Sequence, residues 1–421
     1  MNVGSHALGG NLLERLRTSP LFLASWARWR QRQFHQEYER RRERYAHEAE
    51  RRGLTYNDAA VAGLVRNHQA GRGYSPLPRV VGAIHTLAFV PLIGWHEHLI
   101  PDLKELGPLS LFDYASLGYR WDEFARADRD AIARRERMND AFWQFVDKSH
   151  AERPVDWIFV YASGLEVSAG VLRRIRDELG IPVVTMCLDD KNSWEGAPMG
   201  DHRAGMIDIA REVDLAWTSA RVACEWYLVE GGRPVYLPEG FNAGTFHPMP
   251  VEVDIPASFV GAAYGYRPAV LAHVRRHGIP LRVFGRGWPD GEFARDPIEI
   301  YNRSRINVGI GEIGYSDVLT NVKGRDFEVP ATGGGAYLTS YNSDLAQHFI
   351  VGREILCYRG PDELLEQLRH YLGRPDETRA IADRARARSL REHRWLHRYQ
   401  RITDLLGITA DTAPRPAASG Q

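Results

Sequence analysis

From Val155 onward, short and almost wholly apolar runs alternate with longer stretches whose apolar positions recur every three or four residues. The run "VDWIFVYASG", the amphipathic "LEVSAGVLRRIRDELG" and the run "IPVVTMCLDD" make one strand, helix, strand unit. "VDLAWTSA", a helix from Arg221 to Glu230 and "PVYLPEG" repeat the rhythm. Runs apolar on both faces belong to strands covered on both sides, so the pattern predicts a parallel sheet with ligands at the carboxyl ends of its strands. Upstream, "RVVGAIHTL" predicts a strand with His85 at its end, "GWHEHLIPDLKELG" a helix stopped by Gly107, "PLSLFDY" another strand, and Trp121 to His150 a helix.

"LPEGFNAGTFHPMPVEVD" breaks the alternation with Pro, Gly and Asn and reads as a linker. Beyond it the rhythm restarts: strands at "SFVGA", "LRVFG", "INVGI", "AYLTS" and "EILCY", helices at "RPAVLAHVRRHG", "PIEIYNRS" and "PDELLEQLRHYLG", and a long terminal helix ending near Leu406. The predicted class is α/β, with two doubly wound lobes facing a cleft and an extra helical segment in front. The boundaries are 1–70 for that segment, 71–240 for the first lobe, 241–254 for the linker, 255–406 for the second lobe and 407–421 for a disordered tail, with the terminal helix able to pack back on the first lobe.

In the front segment, Trp26, Arg30, Phe34, Tyr38, Arg41 and Tyr45 fall at three- and four-residue steps, which predicts one long basic helix ending near Gly53. Its aromatic stripe suits packing on the body, and its basic face suits a peripheral contact with an anionic membrane or a protein partner. Lys+Arg and Asp+Glu each total 54, so no global field draws the chain to nucleic acid and none is expected as a partner. Cys187, Cys224 and Cys357 are far apart and odd in number, which fits a reducing compartment and core positions rather than disulfides or a thiolate metal site. "TLAFVPLIGW", the longest apolar stretch, is too short to span a bilayer, and the start of the chain lacks a secretory pattern; the expected location is cytoplasmic, with attachment to the inner membrane left open for the basic helix.

The chemistry concentrates in "NVKGRDFEVPATGGG". A nucleotide diphosphate needs backbone donors at a helix start, a cation for phosphate and a carboxylate for the ribose hydroxyls. Val322, Lys323 and Gly324 supply the donors, Lys323 or Arg325 the charge, and Glu328 the carboxylate; the plainer alternative is an ion pair between Glu328 and Arg325. Two strand ends add Arg267 and Arg286 as phosphate ligands and Trp288 as a surface for the base. Neither the dinucleotide pattern G-x-G-x-x-G nor the phosphate-loop lysine motif occurs, which disfavours a dehydrogenase or a P-loop ATPase.

The pieces "SFVGAAYGYR", "VFGRGW", "IYNRSRINVGI", "LTNVKGRDFEVPATGGGAYLTS", "GREILCYRGPDELLEQLRHYLGRPDE" and "RARSLREHRWLHRY" resemble the carboxyl-terminal domain of the CgeB-like (spore maturation protein) branch of group 1 glycosyltransferases. The resemblance implies a GT-B fold of two Rossmann-like lobes, a nucleotide-sugar donor on the second lobe, no cofactor and no obligatory metal. It assigns Glu328 to the ribose, Arg267 to the phosphate side and Val322 to Gly324 to the phosphate-facing helix start. The wider class carries a second acid eight residues before this glutamate; here Thr320 stands there, and Thr320 and Asn321 offer neutral hydrogen bonds instead.

For the acceptor side, Asp190 at the end of "CLDD" and His85 are the candidate catalytic groups. Adjacent Asp189 and Asp190 also admit a metal-binding carboxylate pair, and His96 with His98 a metal pair, although two-residue spacing on a helix turns the latter apart. The expected function is retaining, metal-independent transfer of a sugar from a nucleotide sugar; the alternative is a non-catalytic two-lobed ligand-binding or scaffold protein on the same fold.

Overall fold

A computed structural model describes residues 20–125, 128–200, 202–292 and 296–410. The chain divides into two compact units, one holding the residues through Glu43, Met249–Asn321 and Gly333–Arg384, the other holding Arg44–Pro248, Val322–Thr332 and the chain from Ala385 onward. This division departs from the sequence boundaries at residues 322–332, which go with the first sheet; the last helix goes there too.

The first sheet runs β2 (Leu109–Leu111), β1 (Thr86–Phe89), β3 (Trp157–Val160), β4 (Val183–Cys187), β7 (Leu215–Thr218), β8 (Pro234–Tyr236), all parallel, and a separate antiparallel hairpin pairs β5 (Ala197–Met199) with β6 (His202–Ala204). The β1 register corrects the sequence reading, because the strand is "TLAF" rather than the residues before His85. Ile84 instead donates its N–H to the Leu106 carbonyl, at the end of the following helix, so pairing with β3 starts only at Thr86. Leu87, Ala88, Ile158, Phe159, Val184 and Leu215 are fully buried, the signature of a sheet covered on both faces.

The second sheet runs β10 (Leu281–Phe284), β9 (Ile255–Val260), β11 (Ser304–Val308), β12 (Ala336–Ser340), β13 (Leu356–Tyr358), again all parallel. Numbered from its own first strand, this order is 2-1-3-4-5, a doubly wound sheet that reverses direction between β9 and β11. The first sheet reverses in the same way between β1 and β3. Such reversals open a crevice at the strand carboxyl ends, where ligands bind in open α/β sheets.

The terminal helix is two helices, Pro375–Glu392 and Trp395–Leu405. Arg394 is extended, pairs with Phe241 as an isolated bridge, and so breaks the helical run. Gly240 lets the two segments touch, since a Cβ there would stand 2.8 Å from the Trp395 nitrogen. The second helix drives Trp395, Tyr399, Ile402 and Leu405 into the core of the first sheet. Asp102, fully buried, latches its start by accepting 2.8 Å from the Leu396 N–H and 2.7 Å from Asn242 Nδ2. The ordered chain continues past Leu406: Ile408 is buried and Thr409 bridges to Arg79, so of the expected tail only residues 411–421 remain, and they lie outside the described residues.

The basic segment is one helix, Pro20–Arg51, whose side chains before Trp29, Trp26 among them, lie outside the description, as do residues 1–19. Its stripe is buried from Tyr38 through Tyr45 and Ala49; the Tyr45 hydroxyl donates 2.7 Å to Glu230 and accepts from Trp194 Nε1 at 2.8 Å. Several of its outward arginines pair with glutamates, as Arg42 with Glu39 and Arg51 with Glu48 do. All three cysteines are buried and free, and among the described residues no helix is long and apolar enough to cross a membrane.

Candidate functional site

At the reversal of the second sheet, β9 ends at Val260 and the Arg267–Arg276 helix begins one short turn later. Arg267 is buried, donates from Nη1 to the Ala262 carbonyl at 3.1 Å and lies 4.2 Å over the Tyr264 ring, so its guanidinium is held in place at the strand ends. After β11 the chain delivers Glu312, also buried, whose Oε2 accepts 2.6 Å from the Ser340 hydroxyl at the end of β12. Burial raises the Glu312 carboxyl above its usual range, with Arg267 acting against that. Glu312 forms an antiparallel bridge with Thr320, and Asn321 donates its N–H to Gly311 at 3.0 Å. Thr320, where an acid is missing from the sequence pattern, thus stands paired in the backbone with an acid eight residues earlier.

One expectation at this sheet end is corrected, that for Trp288. Trp288 is built into the lobe: its Nε1 donates 2.8 Å to Gly261, and its ring meets Phe259 edge-on at 5.9 Å, so its indole is spent on packing instead of a base. Arg286 is exposed on the loop after β10, with no hydrogen bond or ion pair from its side chain among the described residues.

The other constellation lies in the unit of the first sheet. Helix Arg325–Thr332 places Glu328 in its first turn, and the chain leaving β8 brings Glu239 toward the same place. Both carboxylates flank Gly324, where a Cβ would stand 2.7 Å from Glu239 Oε2 and 3.2 Å from Glu328 Oε1. Glu239 is 5% exposed and Glu328 9%. Among the described residues neither carboxylate has a hydrogen bond or ion pair, and the charge of Arg325, one turn before Glu328, acts against the effect of burial on that carboxyl. Burial pushes Glu239 up to about 8, with the Glu328 charge adding to it, and burial pushes Glu328 up to about 7. Lys323 Nζ lies 3.6 Å from Asp189, which is more than half exposed. Tyr161, at the end of β3, accepts 3.0 Å from Trp95 Nε1, and its hydroxyl is shifted upward by burial and then by Glu239.

The helix start differs from the expected phosphate cradle. The Lys323 N–H donates 2.7 Å to the Asp326 carboxylate, the Lys323 ammonium faces Asp189, and the Val322 side chain is in the core. Gly324 offers its backbone between two acids, a place that suits hydroxyls and repels phosphate.

Both acceptor-side candidates are corrected. Asp190 is wholly buried, accepting 2.5 Å from Thr218 Oγ1 and 2.8 Å from the Tyr227 hydroxyl, with its carboxyl raised to about 6 by burial. Its neighbour Asp189 points elsewhere, which also removes the paired-acid metal reading. His85 sits at the amino end of β1, away from the strand carboxyl ends, with Nδ1 against the Pro154 carbonyl at 3.1 Å and Nε2 against Ser110 Oγ at 2.9 Å. Both nitrogens are used and burial lowers its basicity, so it is a satisfied core histidine. His98 stacks on Phe246, and no group of three His, Cys, Asp or Glu among the described residues is arranged to hold a metal. Sequence reasoning missed Glu239, Glu312 and Tyr161; the one available signal was an acid in the "LPEGFN" linker, where nothing in the pattern calls for a charge.

Residues 267–404 match the family model described as Glycosyl transferase-like. Among solved structures, a glycosyltransferase from Rickettsia africae is similar with a TM-score of 0.52 at 11% identity, over 77% of this chain and 98% of that one. Anabaena HepE, solved in complex with UDP and glucose, is similar with a TM-score of 0.51 at 9% identity, over 77% of this chain and 99% of that one. A comparison with curated proteins finds no match. Identities this low speak for fold, and the family match speaks for the region it covers; together with the two reversing parallel sheets they give the chain a GT-B fold in which residues 267–404 are similar to a glycosyl transferase-like domain.

Proposed function

We propose that the protein transfers a glycosyl group from a nucleotide-sugar donor to an acceptor hydroxyl, with retention and without a metal, and that it stands in the CgeB-like branch of the group 1 enzymes. The observation that carries this reading is Glu328: a carboxylate nine-tenths buried inside the matched region, with no hydrogen bond or ion pair among the described residues, is a costly arrangement unless a ligand supplies hydroxyl donors. The Anabaena neighbour, solved with UDP and glucose and also with UDP-glucose, supports a donor of this type. Within the unit of the second sheet, Arg267 is a buried cation fixed at the sheet's reversal, the place where ligands bind in open α/β sheets. The outward face of the basic helix, with Trp29 53% exposed, is the surface we assign to a peripheral membrane or protein contact.

The test incubates the purified full chain with UDP, GDP and ADP and with their sugar conjugates, reading thermal stabilisation and nucleotide release. Stabilisation by one nucleotide, release from its sugar conjugate with or without EDTA, and loss of both in Glu328→Ala are expected. Absence of any response across the panel sinks the enzyme reading and leaves the scaffold alternative, while activity abolished by EDTA overturns the metal-independent part. Anomeric configuration of the product, read by NMR, decides retention.

A further inference from the structure

Glu239 comes from the linker after β8 and Glu328 from a helix 89 residues later in the chain, yet both end on the same backbone point, Gly324. Two like charges placed together under burial repel, so the arrangement costs stability in the free protein. Proteins place two largely buried acids side by side at sites where a ligand supplies donors to them. The absence of a side chain at residue 324 is what leaves room: its Cβ would press directly on Glu239 Oε2.

We propose that Glu239 is a second donor-binding residue, forming with Glu328 a two-carboxylate clamp over Gly324 that takes adjacent hydroxyls of the nucleotide sugar. The assignment rests on the donor reading above. Two neighbouring acids, one protonated and one ionised, present one donor and several acceptors, and a vicinal diol presents two hydroxyls that each donate and accept. A phosphate presents only acceptors and negative charge, so the clamp selects the sugar or ribose end of the ligand and turns the diphosphate away from Gly324.

The experiment titrates the full chain by calorimetry with whichever of UDP, GDP or ADP, or its glucose conjugate, binds the wild type, and repeats this with Glu239→Gln, Glu328→Gln and Gly324→Ala. A tenfold or greater loss of affinity is expected in each variant. With analogues of the same probe lacking the ribose 2′-hydroxyl, the ribose 3′-hydroxyl or the sugar, the effect of Glu239→Gln should vanish for the one that removes its partner; a purely structural role would weaken every analogue equally, and that outcome overturns the proposal. Unchanged affinity in Glu239→Gln together with a loss in Glu328→Gln also overturns it while leaving the donor reading intact. No binding by the wild type removes both. If Glu239→Gln does not melt cooperatively, Gly324→Ala decides, because the added methyl displaces both carboxylates; wild-type affinity in that variant sinks the clamp.

Discussion

The Tyr227 hydroxyl donates 2.8 Å to Oδ1 of Asp190, while Thr218 closes on Oδ2, so an acid expected to face the acceptor is instead the polar centre of a buried network behind β4 and β7. Replacing Asp190 with Ala should lower stability by about 2–4 kcal/mol in urea unfolding, because two buried hydroxyls lose their acceptor. The folded-state carboxyl titrates near 6 against a reference of 3.8. In the window between those values the native state holds more protons than the unfolded chain, so this group's stabilisation is complete below the lower value and is lost as pH rises through 6. Asp190→Asn should flatten that part of the stability profile; an unchanged profile contradicts the assignment.

His85 makes a second case of a polar group absorbed by structure. With both ring nitrogens engaged at the amino end of β1, His85→Ala should cost about 1–2 kcal/mol of stability and leave the kcat of donor turnover unchanged within twofold. A tenfold fall in kcat at unchanged stability would return it to the chemistry.

Glu239 faces Glu328, Lys323, Asp189 and Asp326, and its folded-state value of about 8 lies far above the reference of 4.5. By the same linkage, the ligand-free protein should be most stable at the acid end of this window and lose stability as pH climbs through 8. Melting temperature measured from pH 5 to 8.5 should fall in the wild type and fall less in Glu239→Gln. A wild-type curve that rises over that range speaks against a buried, uncompensated acid.

Asp102 accepts from the Asn242 side chain and the Leu396 N–H and pairs with Arg394, tying the linker and the last helix to the first sheet's unit. Asp102→Ala should destabilise by about 2–4 kcal/mol, since it leaves the Asn242 amide and the Leu396 N–H without this acceptor, while Arg394 keeps Glu105. Hydrogen exchange should show the Trp395–Leu405 helix opening first, and uniform exchange across the unit would contradict a local latch.

The elements of the second sheet were legible because all five strands are short apolar runs closed by glycine or polar residues, and the helices between them carry their apolar positions at helical spacing. Arg267 and Glu328 were legible for a related reason: each follows a local signal, a glycine-bearing strand end in one case and a helix start in the other. The break at Arg394 was not, because nothing local to "REHRWLHRY" stops a helix; its cause is Phe241, more than 150 residues away in the chain.

The sequence by itself determined the alternation of strands and helices, the doubly wound class and the presence of an acid at the start of the Arg325–Thr332 helix, since hydrophobic periodicity and glycine placement act over a few residues. Only the tertiary structure decided which acids are absorbed by packing. Burial and the company of other charges depend on chain segments far apart in sequence: Asp190 was claimed by Thr218 and Tyr227, His85 by Pro154 and Ser110, whereas Glu239, unremarkable in a linker, came to stand beside Glu328.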